Sequence, residues 1–395
     1  MKKYKIRLRP ITFIHIGSGT TIDSLEYTFI SSEFYRININ QYAERIRGNY
    51  QKEFVDLIEN LTKSDYKNAR KEFINSLNEN VKYLKKNNKG KGIISYIEDV
   101  CEDFGEIYNK SLDNIENQML IEEMVRSPSS NMPYIPGSSL KGAIRTAILS
   151  YIINKAGLKK QDFNYNYGNS NREPKDNEIQ AMLLGYYDAK SDPFKSMIIT
   201  DSSIFAEKAS IILSTYNYSI NRKKKGKEAI MPMNILKEYI RRRTSENNVD
   251  DFSVDFKMII KEEMFHYSDD IKKESRYFKN IESLFTKESI SEACNLFYFN
   301  KLELDYSKYF KDIDKTINLF SKDSIENEVD KNSKNEFLIR LGMHGHFESK
   351  TMDEFRDPSG NKLIKNKNLS SRMLVLHKNF YYPIGWAKCT IEEIK

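Results

Sequence analysis

Lys141 and Arg145 stand one helical turn apart, directly behind Pro136-Gly137-Ser138-Ser139, and that arrangement can hold an anion. Pro136 fixes the approach of the chain and Gly137 permits a tight turn. A hydroxyl of Ser138 or Ser139 can accept from a first-turn amide, so a helix starts here. At spacing i, i+4 the two cations join the free amides and the positive end of the helix dipole, and Gly142 between them lets a ligand backbone come close. A phosphate is the fitting partner. The bland alternative is a capped amphipathic helix with two solvated cations, and spacing alone does not separate the two.

Other stretches suggest the same chemistry. His15-Ile16-Gly17-Ser18-Gly19 follows an alternating apolar run, and Arg340-Leu341-Gly342 leads through Gly345 to Lys350. Glycines let a nucleic-acid backbone approach, cations neutralise its phosphates and serine hydroxyls reach phosphate oxygens. Two basic runs, Arg222-Lys223-Lys224-Lys225 and Arg241-Arg242-Arg243, would form an electrostatic landing zone if they shared a face.

Catalytic patterns fit less well. A dinucleotide fingerprint needs a glycine where Ile22 stands, and a Walker loop needs Gly-Lys-Ser/Thr where Lys141 precedes Gly142. His344 and His346 are spaced i, i+2, unlike the helical pair of a zinc protease. Asp23, His15 and Asp201 are the candidates for a metal-dependent ribonuclease, but no second set with metal-site spacing accompanies them. Binding is therefore favoured over catalysis, with no metal and no cofactor expected.

These residues need elements to place them. Leu140, Ala143, Ile144, Ala147, Ile148, Tyr151 and Ile152 recur at helical spacing, which puts one stripe on a core and leaves Lys141 and Arg145 turned outward. Tyr4 to His15 reads as a strand interrupted at Pro10, and Glu26 to Asn38 as a hairpin. Gln41 to Asn109 carries helical patterning and Met119 to Val125 a strand. Phe163 to Lys175 is a loop by composition. Met197 to Ile199 and Ala209 to Tyr218 are strands, and Arg222 to Lys227 forms a basic tip after the second of them. Lys273 to Ser321 is helical, Lys322 to Asn335 a loop, and three strands follow at Phe337, Met373 and Tyr381.

A chain of 395 residues favours two domains. Its Lys+Arg count of 63 against 56 Asp+Glu gives +7, a mild excess whose distribution matters more than its sum. Cys101, Cys294 and Cys389 are too few and too dispersed for a disulfide framework. The opening residues have no apolar run after their charges, and no membrane span is expected; a cytoplasmic, reduced setting follows.

Three stretches together resemble the RAMP superfamily of CRISPR RNA-binding proteins: His15 to Gly19, Tyr134 to Arg145, and Arg340 to Gly342 with Lys350-Thr351. Ile199-Thr200-Asp201-Ser202, the helical insertions and Pro383-Ile384-Gly385-Trp386 look most like the fifth-subunit family of the type III-A (Csm) effector complex. The resemblance implies an α+β chain of two ferredoxin-like (RRM-like) domains with antiparallel sheets, divided as 1–205 and 206–395, with helical insertions at about 40–118 and 270–321. It implies a non-catalytic subunit that caps the filament at the 3' region of the crRNA and supports crRNA maturation. Its expected partners are crRNA, neighbouring Csm backbone subunits, target RNA nearby and host ribonucleases recruited to it. Asp23 lies near the glycine motif where backbone subunits of the family carry a cleaving aspartate, but its surroundings differ from that pattern. His344 and His346 depart from the family's C-terminal glycine loop.

Overall fold

The computed structural model describes residues 1–394 except segments 46–54, 56–58, 60–65, 113–118, 243–251, 266–279 and 343–370, and short gaps at 31–32, 103, 160–161, 163–164, 168–169, 173–175, 187, 207, 312 and 314–316. In chain order the first elements are β1 (Lys2–Pro10), β2 (Gly17–Ile22), β3 (Tyr27–Ile30), β4 (Glu33–Ile37), α1 (Ile39–Arg45), α2 (Tyr66–Lys86), β5 (Ile94–Val100), α3 (Phe104–Leu112) and β6 (Ile121–Met124). Next come α4 (Gly137–Ala156), β7 (Tyr165–Tyr167), β8 (Ser170–Arg172), α5 (Asp176–Leu184), β9 (Met197–Ile199), β10 (Ser210–Ser219), α6 (Ile220–Lys224), β11 (Ile230–Ile240) and β12 (Val254–Ile260). The chain closes with α7 (Lys287–Leu304), α8 (Lys322–Glu326), β13 (Glu336–Arg340), β14 (Ser371–His377), β15 (Phe380–Pro383) and β16 (Trp386–Glu393).

The first sheet has the order β13-β16-β1-β12-β9. Tyr4, Ile6 and Leu8 of β1 point inward while Lys5, Arg7 and Arg9 alternate outward, the period-two pattern of a strand with one face on a core. That inner face packs on α4 and α7, where Leu140, Ile144, Ile148, Ile290, Phe297 and Leu302 are buried. Each such side chain contributes roughly 1.5–3 kcal/mol on burial. Tyr298 ties the two helices by donating to the Ala143 carbonyl at 3.1 Å.

The second sheet runs β2-β6-β11-β10-β5-β4-β3, with β14 and β15 joined to it through β10. Its core takes Phe73, Ile74, Leu77 and Val81 from α2 and Phe104 and Tyr108 from α3. β10 pairs in parallel with β5 at Ile211 and Ile212, then antiparallel with β14 from Thr215 onward. A register shift between Ser214 and Tyr216 accompanies the change of partner. Both sheets draw strands from each side of residue 205.

The α+β architecture matches the sequence expectation, as do the 27–37 hairpin, β6, β9 and β10. Three readings need correction. The stretch 94–100, read as part of a helical region, is β5, because its backbone is claimed on one side by β4 and on the other by β10. Part of Phe163 to Lys175, read as a loop, forms the β7–β8 hairpin. The polar segment after Ser321 opens with α8, whose first turn is capped by the Ser321 hydroxyl accepting from the Ser324 amide.

Candidate nucleic-acid interface

The helix predicted at Pro136 forms, but its start is built differently. Pro136 occupies the N-cap position without a side-chain cap, and Asp201 Oδ1 accepts from the Gly137 amide at 2.9 Å. Asp201, not Ser138 or Ser139, therefore satisfies the helix end. A Cβ on Gly137 would lie 2.4 Å from the Ile199 carbonyl oxygen and 2.3 Å from that of Thr200, so this glycine admits the chain's own backbone. Ile135 and Ser202 exchange two further hydrogen bonds, the Ile135 amide donating to Ser202 Oγ and the Ser202 amide to the Ile135 carbonyl.

Lys141 and Arg145 leave the apolar stripe as expected, but they do not project into solvent. Lys141 Nζ donates to the Met197 carbonyl at 2.7 Å, and burial pulls its pKa down. Arg145 donates to Gln180 Oε1 at 2.8 Å, Asp192 Oδ2 at 2.8 Å and the Tyr186 hydroxyl at 3.2 Å, with its guanidinium 4.6 Å above the Phe194 ring. The pair clamps the 180–197 segment onto α4. Gly142 is exposed between them, with open space where a Cβ would stand.

Arg340 is likewise internal. It is buried, donates to Asp305 Oδ2 at 2.7 Å and the Ile384 carbonyl at 3.0 Å, and lies 4.8 Å over Trp386. Arg372 holds the other Asp305 oxygen at 2.8 Å. Gly342 has φ 89°, and a Cβ there would sit 2.1 Å from the His15 carbonyl oxygen. Its freedom serves the approach of two chain segments. Gly345, Lys350, His344 and His346 lie outside the described residues.

His15 is sealed from solvent, with Nδ1 2.7 Å from the Glu238 carbonyl and Nε2 3.7 Å from Glu122, and burial lowers its pKa. Gly17 lies over that ring: a Cβ there would be 3.1 Å from His15 Nε2. Beyond it Ser18, Gly19, Thr20 and Thr21 are exposed along β2, an edge strand. Gly19 has φ 87° and open space around it, and the Ser18 hydroxyl lies 2.5 Å from that of Thr20. Asp23 accepts from the Leu25 amide at 2.9 Å and lines a cavity of about 510 Å³ with Glu26, Asn38, Tyr96, Glu123 and Asn131. His15, Asp23 and Asp201 each serve a separate local contact, and the ribonuclease constellation is not assembled. Among the described residues no cluster of three or more His, Cys, Asp or Glu is arranged to hold a metal ion.

A buried polar network that sequence reasoning missed lies beside that cavity. Arg126 bridges Glu98 and Glu238, Tyr96 donates to Glu238 Oε1 at 2.9 Å, and the Met124 amide donates to Glu238 Oε2 at 2.7 Å. Burial and the Glu238 carboxylate push the Glu98 pKa up to about 8, against the pull of Arg126. No sequence spacing links residues 98, 126 and 238; only the pairing of β5, β6, β10 and β11 does.

The basic runs separate. Arg222 to Lys225 lie at one end of the eleven-residue β11, with Arg222 Nε donating to the Glu228 carbonyl at 3.0 Å. Arg241 and Arg242 follow its other end, about 35 Å away at the usual strand rise, so they do not form one landing zone. Arg241 pairs with Asp99, and Arg242 stacks 4.7 Å over Phe320 and 5.1 Å over Tyr382. Arg243 is outside the described residues.

A family model described as the RAMP superfamily matches residues 7–356. The chain belongs to the RAMP superfamily. A curated relative, "CRISPR system Cms protein Csm5" from Streptococcus thermophilus, is 25% identical over 263 residues, which cover 62% of this chain and 65% of the relative, somewhat under two thirds of its length. Among solved structures, T. onnurineus Csm5 superposes with a TM-score of 0.59 at 17% identity, covering 96% of this RAMP chain and 99% of the other. A chain of a type III-A Csm-crRNA-target RNA ternary complex superposes with a TM-score of 0.55 at 18% identity, covering 98% of this chain and 100% of that one. At those identities the likeness establishes the fold.

The cations this RAMP chain leaves to solvent are therefore not those of its helix motif. Lys224, Lys225 and Lys227 on the β10–β11 tip are exposed and Lys223 half-exposed, and among the described residues none of the four pairs with a carboxylate. The polar, exposed edge from Ser18 to Thr21 offers backbone and hydroxyl groups instead of charge.

Proposed function

We propose that this chain is a non-catalytic RNA-binding subunit of a type III-A Csm effector particle, standing at the end of the filament on the 3' region of the crRNA and supporting crRNA maturation. The observation that carries the reading is the RAMP fold matched nearly end to end to a Csm5 chain, together with the 25% identity to a curated Csm5. The glycine edge at Ser18 to Thr21 and the unpaired tip lysines supply contacts of the kind a phosphodiester backbone needs, independent of base sequence. Neighbouring backbone subunits, target RNA and recruited ribonucleases complete the set of partners. The separate structural roles of His15, Asp23 and Asp201 support the non-catalytic side of this reading.

Co-expression with the other subunits and a CRISPR array tests it. Purified particles should contain this chain with a crRNA of defined 5' end, and particles lacking it should carry crRNA with altered 3' ends. The chain alone should leave labelled RNA intact with magnesium or manganese. Cleavage abolished by Asp23→Ala or Asp201→Ala would replace the proposal with the ribonuclease.

A further inference from the structure

The β14–β15 hairpin presents an aromatic and several cations together. Lys378 and Asn379 at its turn have φ 48° and 62°, the left-handed pair of a tight two-residue hairpin turn. Phe380 follows, 43% exposed, whereas Tyr382 on the same face is buried with its ring 6.4 Å away. Arg242 lies over Tyr382 and reaches its hydroxyl at 3.4 Å. His377 pairs with Phe380 across the turn and packs edge-on against Phe13 at 5.4 Å.

Two features mark this corner. First, its hydrogen bonding is incomplete: among the described residues His377 Nδ1 and Arg242 Nε are buried without a partner. Second, its charge is uncompensated: Arg241 pairs with Asp99, but among the described residues no carboxylate pairs with Arg242 or Lys378. Arg241, Lys378 and Arg242 all bear on His377, which burial and these charges keep neutral, with a pKa lowered to about 4. A solvent-facing ring beside unpaired cations is the arrangement on which a base of single-stranded RNA stacks while its phosphate is neutralised.

We propose that the 377–380 turn with Arg242 is a nucleotide subsite, in which one base of single-stranded RNA stacks on Phe380 and the adjoining phosphate lies against Lys378 and Arg242. The subsite rests on the RNA-binding reading above and adds to it a place where a base, not only the backbone, is held. Stacking is sequence-tolerant, so the site takes any base.

The test uses the full chain and a short uridine-rich RNA carrying a fluorescent adenine analogue. Phe380→Ala should weaken binding about 5- to 150-fold and abolish the quenching of the analogue by stacking, while Phe380→Trp should preserve both. Lys378→Glu should lower the salt slope of log K by about 0.7. Both side chains are exposed, so thermal unfolding should match the wild type. If the wild type binds no single-stranded RNA, the functional reading and the subsite fall together. If it binds and Phe380→Ala matches it in affinity and quenching, the subsite alone falls. Variants that bind RNA normally but no longer join the neighbouring subunits would also overturn it, in favour of a protein contact.

Discussion

Asp305 sits between two buried guanidiniums, those of Arg340 and Arg372, and its removal takes from both the carboxylate they share. Asp305→Asn should cost about 3–5 kcal/mol, read as a lower urea midpoint at unchanged slope. Lys141→Ala with Arg145→Ala should also act on stability, by roughly 1–3 kcal/mol, while the salt dependence of RNA binding stays at the wild-type value. A change in that slope would return the two cations to the RNA. Glu98 adds a pH dependence. Its carboxyl titrates near 4.5 when unfolded and about 8 when folded, so across that window the native chain holds a proton that the unfolded chain releases. Stability should fall as pH rises through the window, by up to about 1.4 kcal/mol per pH unit, and level off above it. Glu98→Gln, which keeps an oxygen to accept from the Arg126 guanidinium and from the Ser210 hydroxyl that also donates to Glu98 Oε1, should flatten the curve in thermal melts.

At the scale of elements, what could be read from the sequence was whatever is encoded locally. The start of α4 followed from Pro136-Gly137, and its stripe of Leu140, Ile144 and Ile148 needed only a period; its end, at a left-handed Gly157, was not read. β1, β6 and β10 announced themselves by alternation or by short apolar runs. β5 did not, because Ile94 to Val100 mixes apolar and acidic residues and gains its identity from β4 and β10, distant in sequence. The candidate site was least legible for the same reason. Whether Arg145 faces an RNA phosphate or Asp192 is decided by a segment 47 residues further on. Gly342 shows the limit well: a glycine turn was expected, but the group it admits is the His15 carbonyl. Gly342→Ala must both abandon a left-handed backbone and displace that carbonyl. It should cost more than the ~1 kcal/mol of an ordinary glycine change and depress soluble yield.

For the whole molecule, the lysine-bearing tip and the Arg241–Arg242 corner cap opposite ends of β11, so an RNA strand touching both must run along the second sheet. Replacing Lys223, Lys224 and Lys225 with Glu should lower the salt slope by about 0.7 for each phosphate that is no longer neutralised, without moving the melting temperature. The first sheet has a different consequence. β1 is flanked by β12 and by β16, and the Trp386 amide donates to Thr12 Oγ1 across 374 positions. A ribosome adding 5–20 residues per second would keep Tyr4 to Leu8, a strand with one apolar face and at least one edge bare, waiting roughly 20–80 s for its second neighbour. The tyrosine, isoleucine and leucine that later anchor the core would be an aggregation hazard during that interval, and the lysines and arginines alternating with them, more than any ligand, would hold the nascent strand apart from its copies.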